Sequence, residues 1–385
     1  MPQAANLQAP DPAGASAYAS SGVDYEALDA GKRNALTEAL ATSPALLAAP
    51  GGRAVDESRG EPAFVFELAG QTLAFVLEGL GTKSVIARAL EGRLGAAAFD
   101  AVAYDTVAAI VNDLCCVGAL PLVVNAYFAT GSSSWYERPA RQAGLLAGWR
   151  RGCEDAGATW GGGESPSLSG LVGADEIELA GSAVGLIPEG REPILGDKLA
   201  DGDEIVLVAS SGLHANGASL ARTIAARLPD GYDTALPGGQ RLGAALLAPS
   251  VIYAPLVRAL LSSEEVELHY LSHITGHGLL KLMRPRAQRS YVIDRLPEVP
   301  EVLSFLAREA QLSAADAYRT FNMGAGFAVY CAAGTGAAVV ALASELGMSA
   351  RVAGAVRPGP RRVVLEEIGV TFESDSLDLA PRARG

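Results

Sequence analysis

From Tyr104 to Val117 the chain carries apolar residues in helical spacing, with Asn112-Asp113 set inside the run. Gly118 to Pro121 ends it, and Leu122 to Phe128 follows as a strand candidate. This stretch constrains the fold more than any other. A helix that is apolar on nearly every side has to be covered by a sheet or by other helices, so an α-with-β architecture is predicted. A carboxylate inside such a helix is costly unless a cation or a strong donor meets it. On one helix Asp105 and Asn112 are seven residues apart and share nearly one face, with Asp113 about 100° further round. The three either present oxygens jointly to a metal or act as a helix cap and structural ion pair.

The chain leads into this helix through Ala63 to Leu68 and Thr72 to Leu77, two strand-like runs joined by Ala69-Gly70-Gln71 and read as a hairpin. The second run delivers Glu78-Gly79-Leu80-Gly81-Thr82-Lys83. Glycines let backbone N–H groups approach phosphate oxygens, Thr82 offers a hydroxyl, Lys83 a point charge, and Glu78 a carboxylate for magnesium. The spacing is neither that of a P-loop nor of a dinucleotide fingerprint, and a plain turn between strand and helix competes with the phosphate reading.

Elsewhere, residues 1 to 20 read as a flexible arm, and Tyr25 to Leu47 as a helix stopped by Pro50-Gly51-Gly52. Arg141 to Ala156 reads as an amphipathic helix closed by Gly157, and Glu178 to Ile187 as a strand. The proline-bounded stretch from Pro188 to Pro193 marks the domain boundary. The expected organisation is an arm (1–20), an N-terminal domain (21–188), a C-terminal domain (189–370) and a tail (371–385). In the second half, Ile205 to Ala209 is a strand running into Ser210-Ser211-Gly212-Leu213-His214-Ala215-Asn216-Gly217 and a helix. Such a turn offers N–H groups to anions, and His214 either transfers a proton near neutral pH or is a structural or solvent-facing histidine.

Three further segments bear on chemistry. Trp160-Gly161-Gly162-Gly163-Glu164 reads as a loop, either plain or binding. His269, His273 and His277 recur every four residues, but Thr275-Gly276-His277-Gly278 argues against the continuous helix a zinc site would need. Tyr318 to Phe327 is a polar turn feeding a strand.

A length of 385 residues suits two domains, and 49% hydrophobic with 19% charged residues permits real cores. A net charge of −13 and a pI near 4.9 argue against nucleic acid or anionic membrane as partner and favour a small-molecule substrate. The four cysteines form no C-x-x-C pair, no apolar run is long enough to span a bilayer, and no secretory pattern opens the chain. A reduced, cytoplasmic protein is expected.

Taken in order, these segments resemble the phosphoribosylformylglycinamidine cyclo-ligase (aminoimidazole ribonucleotide synthetase) family over about residues 20 to 365. Its Thr-Asp-Gly-Val-Gly-Thr-Lys is similar to Leu77 to Lys83, and its Val-Asn-Asp-Leu and Tyr-Phe-Ala-Thr-Gly stand intact at Val111 to Leu114 and Tyr127 to Gly131. Its Gly-Gly-Glu-Thr is similar to Gly162 to Ser165, and its Ser-Ser-Gly-Pro-His-Ser-Asn-Gly to Ser210 to Gly217. Its Leu-Thr-Gly-Gly-Gly is similar to Ile274 to Gly278, its Tyr-Arg-Thr-Phe-Asn-Cys-Gly-Val-Gly to Tyr318 to Gly326, and its Ala-Gly-Val-Asp to Ser21 to Asp24.

The resemblance implies an α+β fold of two α/β lobes, with N-terminal sheets of two chains pairing into a β-barrel in a homodimer. It implies ATP and Mg2+, with an amide oxygen phosphorylated and then displaced by nitrogen to close an imidazole ring, giving ADP and phosphate. On this reading Glu78 and Asp113 hold the metal. Gly79, Gly81, Thr82, Lys83, Asp105, Asn112, Gly162, Gly163 and Glu164 bind ATP. Ser210, Ser211, Gly212, Thr275, Gly276, His277 and Asn322 bind substrate, and Lys83, His214 and Asn216 are catalytic.

The chain departs from the family pattern at Glu78 (Asp in the family), Asn125-Ala126 (Leu-Asp), Ser165-Pro166-Ser167 (a second acid missing) and His277 (Gly). Two other readings therefore stand beside it: a divergent member using the same ATP cleft on another substrate, and a non-catalytic nucleotide-binding dimer.

Overall fold

The computed structural model describes residues 25–374 and 377, so the expected arm, the Ser21 to Asp24 match and most of the expected tail lie outside the described residues. The first half contains α1 (Tyr25–Leu40), β1 (Arg53–Val55), β2 (Phe64–Leu68), β3 (Gln71–Gly79), α2 (Lys83–Leu94) and α3 (Ala96–Cys115). These are followed by β4 (Leu120–Thr130), α4 (Pro139–Ala156), β5 (Thr159–Glu164) and β6 (Ile177–Leu186). The strands form one six-stranded sheet in the order β1-β2-β3-β6-β4-β5.

The second half contains β7 (Glu204–Ala209), α5 (Ala218–Arg227), α6 (Leu242–Leu246), α7 (Ala254–Ser262), β8 (Leu268–His273) and β9 (Arg289–Ile293). It continues with α8 (Glu301–Glu309), α9 (Ala314–Thr320), β10 (Ala325–Cys331), α10 (Gly336–Glu345), β11 (Ala350–Pro358), β12 (Arg362–Leu365) and β13 (Val370–Glu373). A seven-stranded sheet runs β13-β12-β9-β11-β7-β10-β8. Two mixed α/β halves, each with its own sheet, are the architecture observed.

The apolar run read from Tyr104 starts earlier, at Ala96, and its helix α3 is buried along nearly its whole length. It packs on the inner face of the first sheet beside α4, Ile110 of α3 and Trp149 of α4 both lying against Gly181 of β6. The close approach has a visible cause in α4, where Gly144, Gly148 and Gly152 repeat at four-residue spacing. A Cβ at Gly144 would sit 2.0 Å from the Ala96 carbonyl oxygen, and one at Gly148 2.0 Å from that of Asp100. Helix α4 then ends at Gly157, whose φ of 69° is the left-handed conformation glycine adopts without steric cost.

The hairpin expected at Ala69-Gly70-Gln71 is present, with Leu68 opposite Gln71. Strand β3 alternates: Ala74 and Val76 are buried while Phe75 and Leu77 remain 42% and 68% exposed.

Two expectations are corrected. The helix predicted to Leu47 ends at Leu40, and a separate 3-10 turn covers Ser43–Ala48. Pro44 has no N–H to donate and disfavours helix at the residue before it, so the chain restarts there. The glycine run at 161–163 is an edge strand rather than a loop, parallel to β4. Its glycines are needed because a Cβ at Gly163 would fall 2.1 Å from the Ala126 carbonyl oxygen.

Candidate functional site

The two halves meet over α3, and the seven-residue spacing of Asp105 and Asn112 shows its use there. Asp105 Oδ1 accepts from Ser250 N at 2.7 Å, Asn112 Oδ1 from Tyr253 N at 2.8 Å, and Asn112 Nδ2 donates to the Val251 carbonyl at 2.8 Å. Both side chains clasp the 250–253 backbone of the second half. Lys83, at the start of α2, is fully buried; its Nζ donates to Asp105 Oδ2 at 2.5 Å and to the His214 carbonyl at 2.7 Å. Three residues expected at the nucleotide are therefore engaged in joining α2 and α3 to the 210–217 turn and to the 250–253 backbone.

Asp113 points elsewhere. It sits in the last turn of α3, where the helix dipole opposes a negative charge. Burial pushes its carboxyl up, but the hydrogen bond and charge of His273 outweigh that and hold it below the usual range. His273 Nδ1 lies 2.6 Å from Asp113 Oδ1. Glu78, at the end of β3, hydrogen-bonds to the same Asp113, and burial together with the Asp113 charge raises its carboxyl to about 8. Two acids far apart in sequence thus converge, and one of them keeps its proton at neutral pH.

Both acids line a cavity of about 420 Å³, bounded on the first-half side by Gly79 and Leu80 and on the second-half side by Asn216, Thr275, Gly276 and His277. Its walls also carry Lys32, Arg33, Lys281 and Arg284. Burial and the Arg284 charge bring the Lys281 ammonium down to about 8. Arg284 donates to the Gly60 carbonyl at 2.8 Å and pairs with Glu61, whose carboxyl burial holds above its ordinary value.

The pair fits magnesium bound with a nucleotide better than a self-contained metal cage. Two carboxylates sharing a proton offer oxygens to a cation, and Mg2+ is commonly held by one or two carboxylates plus phosphate oxygens. Among the described residues no group of three or more His, Cys, Asp or Glu side chains is arranged to hold a metal. The four-residue histidine spacing is not helical either: His269 and His273 lie on β8 and His277 in the turn beyond it.

Gly81 (φ 70°, with open space where a Cβ would stand) leads through Thr82 into α2, and of this loop it is Glu78, Gly79 and Leu80 that line the cavity. Thr82 Oγ1 lies 2.9 Å from Ser219 Oγ. Gly162, Gly163 and Glu164 stand apart. They occupy the far edge strand, separated from β3 by β6 and β4, about 14 Å at normal strand spacing.

The 210–217 turn forms a second, smaller site. Asn322 ties it together, accepting from Ser210 Oγ at 2.8 Å and donating to the Gly212 carbonyl at 2.8 Å, while Ser211 Oγ donates to the Pro249 carbonyl at 2.5 Å. His214 is buried, and burial first, then the His273 and Lys83 charges, pulls its imidazole well below the ordinary value. Its Nε2 accepts from Ser211 N at 3.1 Å, which assigns the proton to Nδ1. That Nδ1 has no partner among the described residues, and the ring lines an internal void of about 10 Å³ shared with Asn112, Asn216, His273 and Asn322. A neutral ring with Nε2 occupied is left with Nδ1–H as its free donor.

Sequence reasoning missed Lys281 and Arg284, and weighed His273 only as a zinc ligand. On the strand Leu268–His273 residues four apart fall on one face, which places His269 with His273. Lys281 and Arg284 carried no local signal.

The chain matches two family models, "AIR synthase related protein, N-terminal domain" over residues 60–187 and "AIR synthase related protein, C-terminal domain" over residues 200–366. It is 38% identical over 286 residues to a phosphoribosylformylglycinamidine cyclo-ligase of Anaeromyxobacter dehalogenans, covering 73% of this chain and 79% of that one. It is 34% identical to the enzyme of the same name from Carboxydothermus hydrogenoformans, covering 75% of this chain and 82% of that one. In fold it is similar to tt0281 from Thermus thermophilus, with a TM-score of 0.53 at 20% identity over 80% of this chain and 90% of that one. It is also similar to AaThiL complexed with AMPPCP and TMP, with a TM-score of 0.54 at 15% identity over 82% of this chain and 90% of that one.

Proposed function

The chain belongs to the AIR synthase related family, and from that premise we propose that it is an ATP-dependent cyclo-ligase. An amide oxygen is phosphorylated by ATP and displaced by a nitrogen of the same molecule, closing an imidazole ring with release of ADP and phosphate. The relatives named phosphoribosylformylglycinamidine cyclo-ligase support the reaction class. The observation that carries the reading is the meeting of Glu78 and Asp113 in a cavity between the two halves.

Glu78 and Asp113 hold magnesium, and the ion, when bound, neutralises phosphate charge. The N–H groups around Gly79, Gly81 and Thr82 at the head of α2 take the phosphates. Lys83, Asp105 and Asn112 act by positioning, since their polar atoms fix α2 and α3 against the second half. His214 donates from Nδ1, and Asn216, Thr275, Gly276 and His277 face the acceptor. Residues 21–188 form the nucleotide-binding and dimerising domain and residues 189–370 its partner domain. Exposed Phe75, Leu77 and Val123 on the outer face of the first sheet suit pairing of two chains through that face.

Asp113→Ala is the direct test. It is expected to cut ADP release with magnesium-ATP and phosphoribosylformylglycinamidine by about a hundredfold or more, with the oligomeric state unchanged in sedimentation. Unaltered turnover sinks the assignment. A second reading, the same chemistry on a different amide, draws on the departures at Glu78, Ala126, Ser165-Pro166 and His277. ATP binding without turnover of this acceptor favours it.

A further inference from the structure

Five non-glycine residues among those described have a positive φ: Ala69, His214, His277, Gln311 and Met323. Ala69 belongs to the hairpin turn and Gln311 follows α8. His277 is different, because it lines the large cavity. It is the third residue of a turn in which Gly278 N donates to the Thr275 carbonyl at 2.9 Å, and its φ and ψ are 73° and 0°. Those are type II values, natural for glycine or asparagine and resisted by the Cβ of a histidine.

The neighbouring position shows what packing requires of this turn. A Cβ at Gly278 would sit 2.2 Å from the Tyr318 carbonyl oxygen, so glycine there is a steric necessity. At 277 the backbone has a glycine conformation, yet the chain places an imidazole there, 8% exposed. Residues held in such conformations persist where the surrounding structure fixes them, and they concentrate at ligand sites. The turn that His277 heads also carries Lys281 and Arg284 into the same cavity, so one short element supplies much of the wall.

We infer that His277 decides which acceptor the cavity admits. Its ring narrows the space that a glycine would leave open and supplies a hydrogen-bonding group to the amide or amidine end of the acceptor. The acids that take the nucleotide's cation are served by other elements, β3 and α3. The inference rests on the reading of this cavity as the ATP-dependent cyclo-ligase site.

Wild type, His277→Gly and His277→Asn are compared as full chains, following ADP release from magnesium-ATP with phosphoribosylformylglycinamidine, calorimetry of magnesium-ATP alone, and melting temperature. Both replacements suit the turn and are expected to melt no lower than wild type. For His277→Gly the acceptor KM is expected to rise about tenfold, with kcat and the ATP Kd within about twofold of wild type; His277→Asn falls between. Should wild type be inert on this acceptor while His277→Gly releases ADP, the inference stands and the proposed acceptor falls. Equal behaviour of the two, both active or both inert, overturns the inference, as does a change confined to the ATP Kd.

Discussion

Glu78 and Asp113 are chemically alike, and their surroundings drive them apart. Asp113 is held ionised by His273, whereas burial and the Asp113 charge keep Glu78 protonated to about pH 8. The sign of the pH effect follows. In the unfolded chain Glu78 loses its proton near 4.5, and in the folded chain near 8, so between those values the native state binds the extra proton. Without divalent cation, stability therefore falls as pH rises through this window, and urea midpoints at pH 5 and pH 8 should show it. Glu78→Gln should flatten the difference; a Glu78→Gln protein with the same slope as wild type counts against the shared proton. Lys83 gives the second prediction at this scale. Lys83→Met leaves Asp105 buried without its cation and is expected to cost about 3–5 kcal/mol in chemical denaturation, a loss too large for a residue that merely touches a bound phosphate.

Helices α3 and α4 pack by backbone approach, and small residues decide whether they can. In an isolated helix Gly→Ala is favourable by about 1 kcal/mol. At Gly148 the new methyl would meet the Asp100 carbonyl oxygen at 2.0 Å, and because the obstacle is backbone the steric term wins. Gly148→Ala is expected to destabilise by about 1–3 kcal/mol or more, measured as a lower urea midpoint, whereas Gly92→Ala in α2, where a Cβ meets nothing, should be neutral or stabilising. Any displacement of α3 also moves Asp113 against Glu78, so Gly148→Ala should weaken magnesium-ATP binding without touching a ligand. The edge strand β5 uses glycine in the same way, Gly163 lying against the backbone of β4 far from the cavity.

For the whole molecule, the outer face of the first sheet predicts assembly. Leu77 is 68% exposed and Phe75 42%, and a charge among them is expected to shift the protein to monomer: Leu77→Glu should sediment at half the mass of wild type, while a wild type that is itself monomeric removes the basis of the proposed barrel. No helix among the described residues is long and apolar enough to cross a membrane. Much of this architecture was legible in order of residues. The apolar spacing before Asn112-Asp113 announced α3, the alternation around Ala69-Gly70-Gln71 announced the hairpin, and the cost of a buried carboxylate announced that Asp113 must have a partner. The same reasoning placed Lys83 on a phosphate, because a lysine after a glycine turn looks alike in sequence whether it faces a ligand or an internal acid. By itself the sequence determined periodicities and local needs, since helix and strand geometry relate residues a few positions apart. Only the packing of the two halves decided that His273 meets Asp113 across 160 positions, that Asp105 takes Lys83, and that Glu78 shares a cavity with His277, because contacts between distant segments depend on how whole elements are stacked and not on the order of residues within them.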